Sequence, residues 1–134
     1  MLAIARREVP GATFEVMDMR DAAALGQRFD AAFAQASLVH IPKKAAAAVL
    51  ASLAATVRPG GLVYVAVKET KPDEPDEEER VELEYGYTIR RFFSYYTLEE
   101  LRGLFRQANL HDVYHSVTPS GSTRWLQIIG RKAD

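Results

Sequence analysis

An alanine-rich helical stretch set between two short apolar runs constrains this chain more than any other feature. Residues 43–57 place Val49, Leu50, Leu53 and Val57 at helical spacing among alanines, which predicts a helix with one face packed on a sheet. Pro42 suits its first turn. At the other end Pro59 disfavours helical geometry at Arg58, and Gly60 and Gly61 supply a turn. Residues 62–67, Leu-Val-Tyr-Val-Ala-Val, then read as a buried strand. Before the helix, Phe29-Asp-Ala-Ala-Phe-Ala-Gln-Ala reads as another strand, ending at Ser37-Leu-Val-His-Ile-Pro. Strand, helix, strand at this spacing is the unit of a parallel α/β sheet.

The flanks extend the same reading. Residues 13–17 are mostly apolar strand formers, bounded by Pro10-Gly11 and by Asp18, and predict a buried strand with Asp18 at its carboxyl end. That strand is expected to pair directly with residues 29–34, or with another chain, because unpaired buried backbone is costly. A polar helical patch spans residues 20–27. Met1 to Glu8 reads as the last turns of an amphipathic helix, with Leu2 and Ala5 opposite Arg6 and Arg7. A helix lacking its beginning predicts a cut. Residues 71–84, with Pro72, Pro75 and the acids of 76–79, predict a solvated loop or a frayed helix. Thr97-Leu-Glu-Glu is a capping box for a helix running to about Ala108, with Asn109 as its stop. Residues 113–118 and 125–129 predict two strands joined as an antiparallel hairpin by Pro119-Ser-Gly-Ser.

Composition narrows the function classes. A chain of 134 residues, 48% hydrophobic and 26% charged, is expected to form a single domain with one core. A formal net charge of -1 offers no basic field for nucleic acid or an anionic membrane. There is no cysteine, hence no disulfide or thiolate metal site, which is compatible with a cytoplasmic location. No run approaches the roughly 18 to 20 apolar residues that span a bilayer, and the N-terminus lacks the order of a signal peptide. The expected partners are therefore small molecules or proteins.

Three stretches in order, Phe14-Glu-Val-Met-Asp-Met, Phe29-Asp-Ala-Ala-Phe-Ala-Gln-Ala-Ser-Leu-Val-His-Ile and Val57-Arg-Pro-Gly-Gly-Leu-Val-Tyr-Val, resemble the class I S-adenosylmethionine-dependent methyltransferases of small-molecule type. The tail from Tyr96-Thr-Leu-Glu-Glu-Leu resembles that family's closing helix and hairpin. The resemblance implies an α/β, Rossmann-like methyltransferase sheet, mostly parallel, with a C-terminal antiparallel hairpin. It also implies truncation at the N-terminus: the first two strands, the glycine-rich turn and the acid that binds the ribose would all precede Met1. On this reading the chain is one partial methyltransferase domain over residues 1–134, with 71–84 as its acidic solvated loop.

The same resemblance implies a site. Asp18 would accept the adenine amino group and the Met19 backbone would contact the ring. Ala36, Ser37 and Leu38, after Gln35, would line the methionine portion of S-adenosylmethionine, and His40 would face the substrate as a candidate catalytic group. Independently, ligands on open α/β sheets bind at the carboxyl ends of the strands. Tyr85, Arg91, Tyr95 and Tyr96, within the aromatic and basic run from Tyr85 to Tyr96, would form the substrate wall.

Each assignment has a plainer alternative. Asp18 also suits a turn, and His40, whose type titrates near neutrality, also suits a polar loop. The aromatic run also suits core packing, with its arginines paired to the acidic loop. Stacking on single-stranded nucleic acid is opposed by that acidic neighbour. His111 and His115 lie too far apart along a strand for one metal ion, and Ser37 and Ser94 lack a nucleophile-elbow context.

The expected function is methyl transfer from S-adenosylmethionine to a small-molecule acceptor, a reaction that runs largely on proximity and in-line orientation, with cofactor binding impaired by the missing glycine-rich turn. The alternative is a non-catalytic remnant that acts as an interaction module and forms a homo-oligomer through an exposed strand edge.

Overall fold

The computed structural model describes residues 1–26 and 28–134, so Gln27, the end of the expected helical patch at 20–27, lies outside the described residues. Three elements carry the expected strand, helix, strand unit: β1 (Phe29–Gln35), α2 (Lys43–Thr56) and β2 (Val57–Lys68). They follow a short helix α1 (Leu2–Glu8) and precede β3 (Glu77–Glu84), β4 (Tyr87–Ser94), α3 (Leu98–Gln107), β5 (Leu110–Ser120) and β6 (Thr123–Lys132). Four strands form one sheet in the order β1-β2-β6-β5, and β3-β4 is a separate antiparallel hairpin.

The architecture is mixed α/β and Rossmann-like. Within the main sheet β1–β2 is parallel, while β2–β6 and β5–β6 are antiparallel. Parallel pairing is thus less extensive than a mostly parallel sheet would have, because residues 13–17 do not join it. They form no strand; Val16 is 89% exposed and Met17 40%. Among the described residues no neighbour supplies their hydrogen-bond ladder, and the Phe14 carbonyl instead accepts a hydrogen bond from the Arg6 guanidinium at 3.0 Å. Intramolecular pairing with β1 is therefore corrected: an apolar run without a partner strand is hydrated chain, not sheet.

The acidic segment 71–84 needs a second correction. Only its first part is loop, and Glu77–Glu84 is β3. Its carboxylates are offset by β4, where Arg90 pairs with Glu79 at 3.7 Å and Arg91 with Glu82, while Arg80 pairs within β3 to Glu78 at 2.8 Å. Opposite charges on facing strands stabilise a pairing that the sequence run alone opposes.

The core lies between the main sheet and the two longer helices. Val49 and Leu50 of α2 and Leu101 and Phe105 of α3 meet Val63, Val65, Leu126 and Ile128, all fully buried. Alternation puts Tyr64 and Ile129 on the other face, where Phe33, Tyr64, Ile129 and Tyr114 form a cross-strand row. That face is less covered: Phe33 is 73% exposed and stacks on Tyr64 with ring centres 4.4 Å apart. The two glycines within the first half of β2, Gly60 and Gly61, serve different ends. Gly60 has φ +79, whereas a Cβ on Gly61 would strike Val57 and lie 2.7 Å from the Asp30 carbonyl oxygen, so Gly61 permits β1 and β2 to close.

Candidate functional site

The site begins where β1 ends beside β2. Gln35 is in register with Ala66, and the Ala36 amide donates to the Ala66 carbonyl at 3.2 Å. Ala36 then turns left-handed with φ 52, a conformation that costs energy for a residue with a Cβ and clusters at ligand sites. The turn sends Ser37 and Leu38 across the strand ends. The Ser37 hydroxyl donates to the Gln35 carbonyl at 3.1 Å, the Tyr64 hydroxyl donates to Gln35 Oε1 at 2.8 Å, and Leu38 is fully buried in the core. Small side chains at Ala36 and Ser37 leave the backbone here open to close approach.

Asp18 is not at the end of a strand. It caps a 3₁₀ turn, Met19–Leu25, with Oδ1 accepting from the Arg20 amide at 2.8 Å. The Arg20 guanidinium donates to Oδ1 at 3.0 Å and to Oδ2 at 2.7 Å. These bonds from Arg20 hold the Asp18 carboxyl down at about 2. A carboxylate accepts about four hydrogen bonds, so the ionised side chain keeps capacity for one further donor such as an amino group. Met19 packs against the core, and the Ala23 amide donates to Ser52 Oγ on α2 at 2.9 Å, which fixes the turn to the helix.

His40 lies in a second 3₁₀ turn, Leu38–His40, and donates from Nδ1 to the Phe92 carbonyl at 2.9 Å. A carbonyl only accepts, so this nitrogen carries hydrogen. The neutral ring then presents Nε2 as its acceptor. The Ser94 hydroxyl, fully buried, donates to the Ile41 carbonyl at 2.9 Å. His40 and Ser94 thereby fasten the β3–β4 hairpin to the segment that follows Ser37. Glu77 adds a third tie, accepting from the Lys43 amide at 2.6 Å and capping α2, whose own N-cap residue Pro42 makes no side-chain cap bond.

The expected substrate wall is divided. Tyr85 sits at the hairpin turn, 84% exposed, with φ 55. Arg91 is paired with Glu82 and lies 5.8 Å from the Phe93 ring centre. Tyr95 donates its hydroxyl to Glu78 Oε1 at 2.5 Å, and burial together with that carboxylate pushes the phenol up to about 12. Tyr96 is a core residue, 1% exposed, and so is packing instead of wall.

One residue that sequence reasoning passed over stands among these. Lys68 ends β2, and its ammonium lies 4.5 Å from the Phe93 ring centre and 5.7 Å from that of Trp125. Its signal in the sequence was a lysine closing an apolar strand. Among the described residues no group of three or more histidines, aspartates and glutamates could hold a metal ion, and no helix is long and apolar enough to cross a membrane.

A family model described as a methyltransferase domain matches residues 3–115. Among curated proteins nothing matches. Solved structures similar to this chain include Burkholderia thailandensis 1,6-didemethyltoxoflavin-N1-methyltransferase with bound 1,6-didemethyltoxoflavin and S-adenosylhomocysteine. It is 23% identical with a TM-score of 0.71, over 99% of this chain and 56% of that one. Streptomyces venezuelae DesVI is 22% identical with a TM-score of 0.74, over 98% of this chain and 70% of that one. An S-adenosylmethionine-dependent methyltransferase from Clostridium acetobutylicum is 10% identical with a TM-score of 0.77, over 99% of this chain and 71% of that one. At these identities the likeness is one of fold, and the chain spans little more than half of the Burkholderia enzyme.

Proposed function

We propose, from the premise that this chain belongs to the methyltransferase-domain family, that it supplies the adenine and methionine side of an S-adenosylmethionine site and works in methyl transfer to a small-molecule acceptor. The observation that carries the reading is the left-handed turn at Ala36, which opens backbone at the carboxyl ends of the parallel pair β1–β2. Asp18 would hold the adenine amino group through its remaining acceptor capacity, Met19 would offer backbone to the ring, and Ala36, Ser37 and Leu38 would flank the methionine portion.

S-adenosylmethionine supplies an electrophilic methyl group on a sulfonium sulfur. The protein's part is then to hold the acceptor in line and exclude water. Arg91 and Tyr95 from the hairpin would border the acceptor, with Tyr85 at its outer rim. His40, with Nδ1 committed to Phe92, would take an acceptor proton at Nε2 where the acceptor carries one. The described residues hold no glycine-rich turn leading from strand to helix, so the site formed by these residues alone would bind weakly. Location in the cytoplasm fits a chain without cysteine.

A second reading rests on β1, whose outer edge has no partner strand among the described residues and whose Phe33 is largely exposed. Such an edge favours self-association, making a homo-oligomer, with or without catalysis. Light scattering after size exclusion gives the mass directly.

Amide chemical shifts during titration with S-adenosylhomocysteine test the first reading. Saturable shifts at Met19, Ala36, Ser37 and Leu38 are expected. Shifts scattered over the surface, or none at millimolar ligand, would overturn it.

A further inference from the structure

β1 ends on a carboxamide whose orientation is set from the neighbouring strand. Gln35, the last residue of β1, is exposed and lies in register with Ala66. Its Oε1 accepts the Tyr64 hydroxyl at 2.8 Å. Tyr64 is itself restrained, because its ring stacks on Phe33 with centres 4.4 Å apart and planes 7° from parallel. A carboxamide with its oxygen held in this way has two N–H groups left over as donors. Among the described residues, Nε2 of Gln35 has no hydrogen-bond partner.

The carboxamide stands at the Ala36 turn. The Gln35 carbonyl accepts the Ser37 hydroxyl at 3.1 Å, so the residue is tied by its main chain to the segment that follows and by its side chain to β2. Donors held in place before a ligand arrives lose little freedom on binding it. The sequence from Ala31 to Lys68 contains no aspartate or glutamate. Neither the turn nor the strand beside it therefore sets a carboxylate against an anion held there.

The methionine portion of S-adenosylmethionine carries an ammonium, which only donates, and a carboxylate, which only accepts. Free N–H donors match the second and not the first. We propose that Gln35 binds the carboxylate of the cofactor's methionine portion through Nε2, with Tyr64 as the residue that positions the carboxamide. The inference rests on the S-adenosylmethionine reading and adds a binding residue to that same site. The described residues hold no glycine-rich turn leading from strand to helix, and a side-chain amide provides N–H donors of the kind such a turn presents from its backbone.

The test compares S-adenosylhomocysteine with its decarboxylated analogue, which keeps the adenosine, the sulfur and the amine. Each is titrated into the 134-residue chain, with the amides of Ala36, Ser37 and Leu38 as reporters. Wild type is expected to prefer the ligand with the carboxylate by about tenfold, as for a hydrogen bond to a charged group. Gln35→Leu is expected to bind both ligands alike, and Gln35→Glu to prefer the decarboxylated one. Tyr64→Phe keeps the carboxamide but releases it, and lowers the preference to about threefold, whereas a purely structural role for Tyr64 would weaken both ligands together. Gln127→Leu is the control. Its carboxamide lies on the same sheet face, beyond Ala66, with Oε1 accepting from Ser116 and Thr118, and its loss is expected to leave the preference unchanged. A preference that survives Gln35→Leu overturns the proposal. If that variant fails to fold, equal affinity of wild type for the two ligands still overturns it. Binding of S-adenosylhomocysteine without the carboxylate preference removes the role of Gln35 and leaves the cofactor reading, whereas no binding of either ligand at millimolar concentration overturns both.

Discussion

His40 and Phe92 are joined across 52 residues of sequence by one hydrogen bond of 2.9 Å, from the imidazole Nδ1 to the main-chain carbonyl. The bond makes His40 a fastener of the hairpin as well as a candidate base. His40→Ala is expected to loosen β3–β4 locally, by about 1 kcal/mol or a roughly fivefold rise in amide exchange from Tyr87 to Phe92. Hydrogen exchange read by mass spectrometry checks this. Unchanged protection in the hairpin would mean that Ser94 and Glu77 hold it without His40.

Ser94→Ala is expected to cost more. Its hydroxyl is fully buried and donates to the Ile41 carbonyl, and removing it strands that acceptor, at about 1–3 kcal/mol. A chemical denaturation curve with an unchanged slope and an earlier midpoint is the expected result.

Gly130 lies under α3. A Cβ there would stand 2.6 Å from Phe105 Cδ2 and 2.9 Å from Leu110 Cβ, and both residues are packed in the core. Gly130→Ala is therefore expected to destabilise by about 1–3 kcal/mol through overpacking. Thermal melts of this variant beside Gly103→Ala, where the nearest atom is the end of the Arg106 side chain at 3.7 Å, separate crowding from a general effect of the extra methyl group.

Asp18 gives a pH signature. Its carboxyl is lowered from 3.8 to about 2 by the Arg20 side-chain and amide hydrogen bonds. A depressed carboxyl contributes stability that is present above the ordinary value and lost as pH falls through the folded one. The loss here therefore falls between pH 3.8 and about 2. Carboxyl carbon shifts followed by NMR should show a midpoint near the lower value in wild type, and one returning toward the ordinary value in Arg20→Ala. Because the pair is on the surface, added salt should narrow the difference.

The elements that were legible in the sequence are those whose signals are local. The helix at Lys43–Thr56 and the strand after it follow from spacing and from Pro59, Gly60 and Gly61. Thr97 and Glu100 form both bonds of the capping box, at 3.1 and 2.7 Å. What was not legible depends on neighbours. Residues 13–17 have the composition of a strand but pair with no strand among the described residues, while Glu77–Glu84 has the composition of a loop and is a strand because Arg90 and Arg91 face it. For the site, Ala36, Ser37 and Leu38 were implied by the family resemblance alone, and the structure sets them just after β1 ends beside β2. The surroundings of Lys68 were not legible either, since Phe93 and Trp125 reach it only through the fold. Nor was the role of Glu77, which caps a helix 34 residues earlier in the chain.

The central claim is that these residues form the adenine and methionine side of an S-adenosylmethionine site. A calorimetric titration of S-adenosylhomocysteine into the chain and into Asp18→Ala tests it most directly. The account predicts saturable one-to-one heat in wild type, weakened by about tenfold or more in the variant through the lost charge-assisted hydrogen bond. Equal binding by both would contradict the role of Asp18, and no heat from wild type at millimolar ligand would contradict the claim itself.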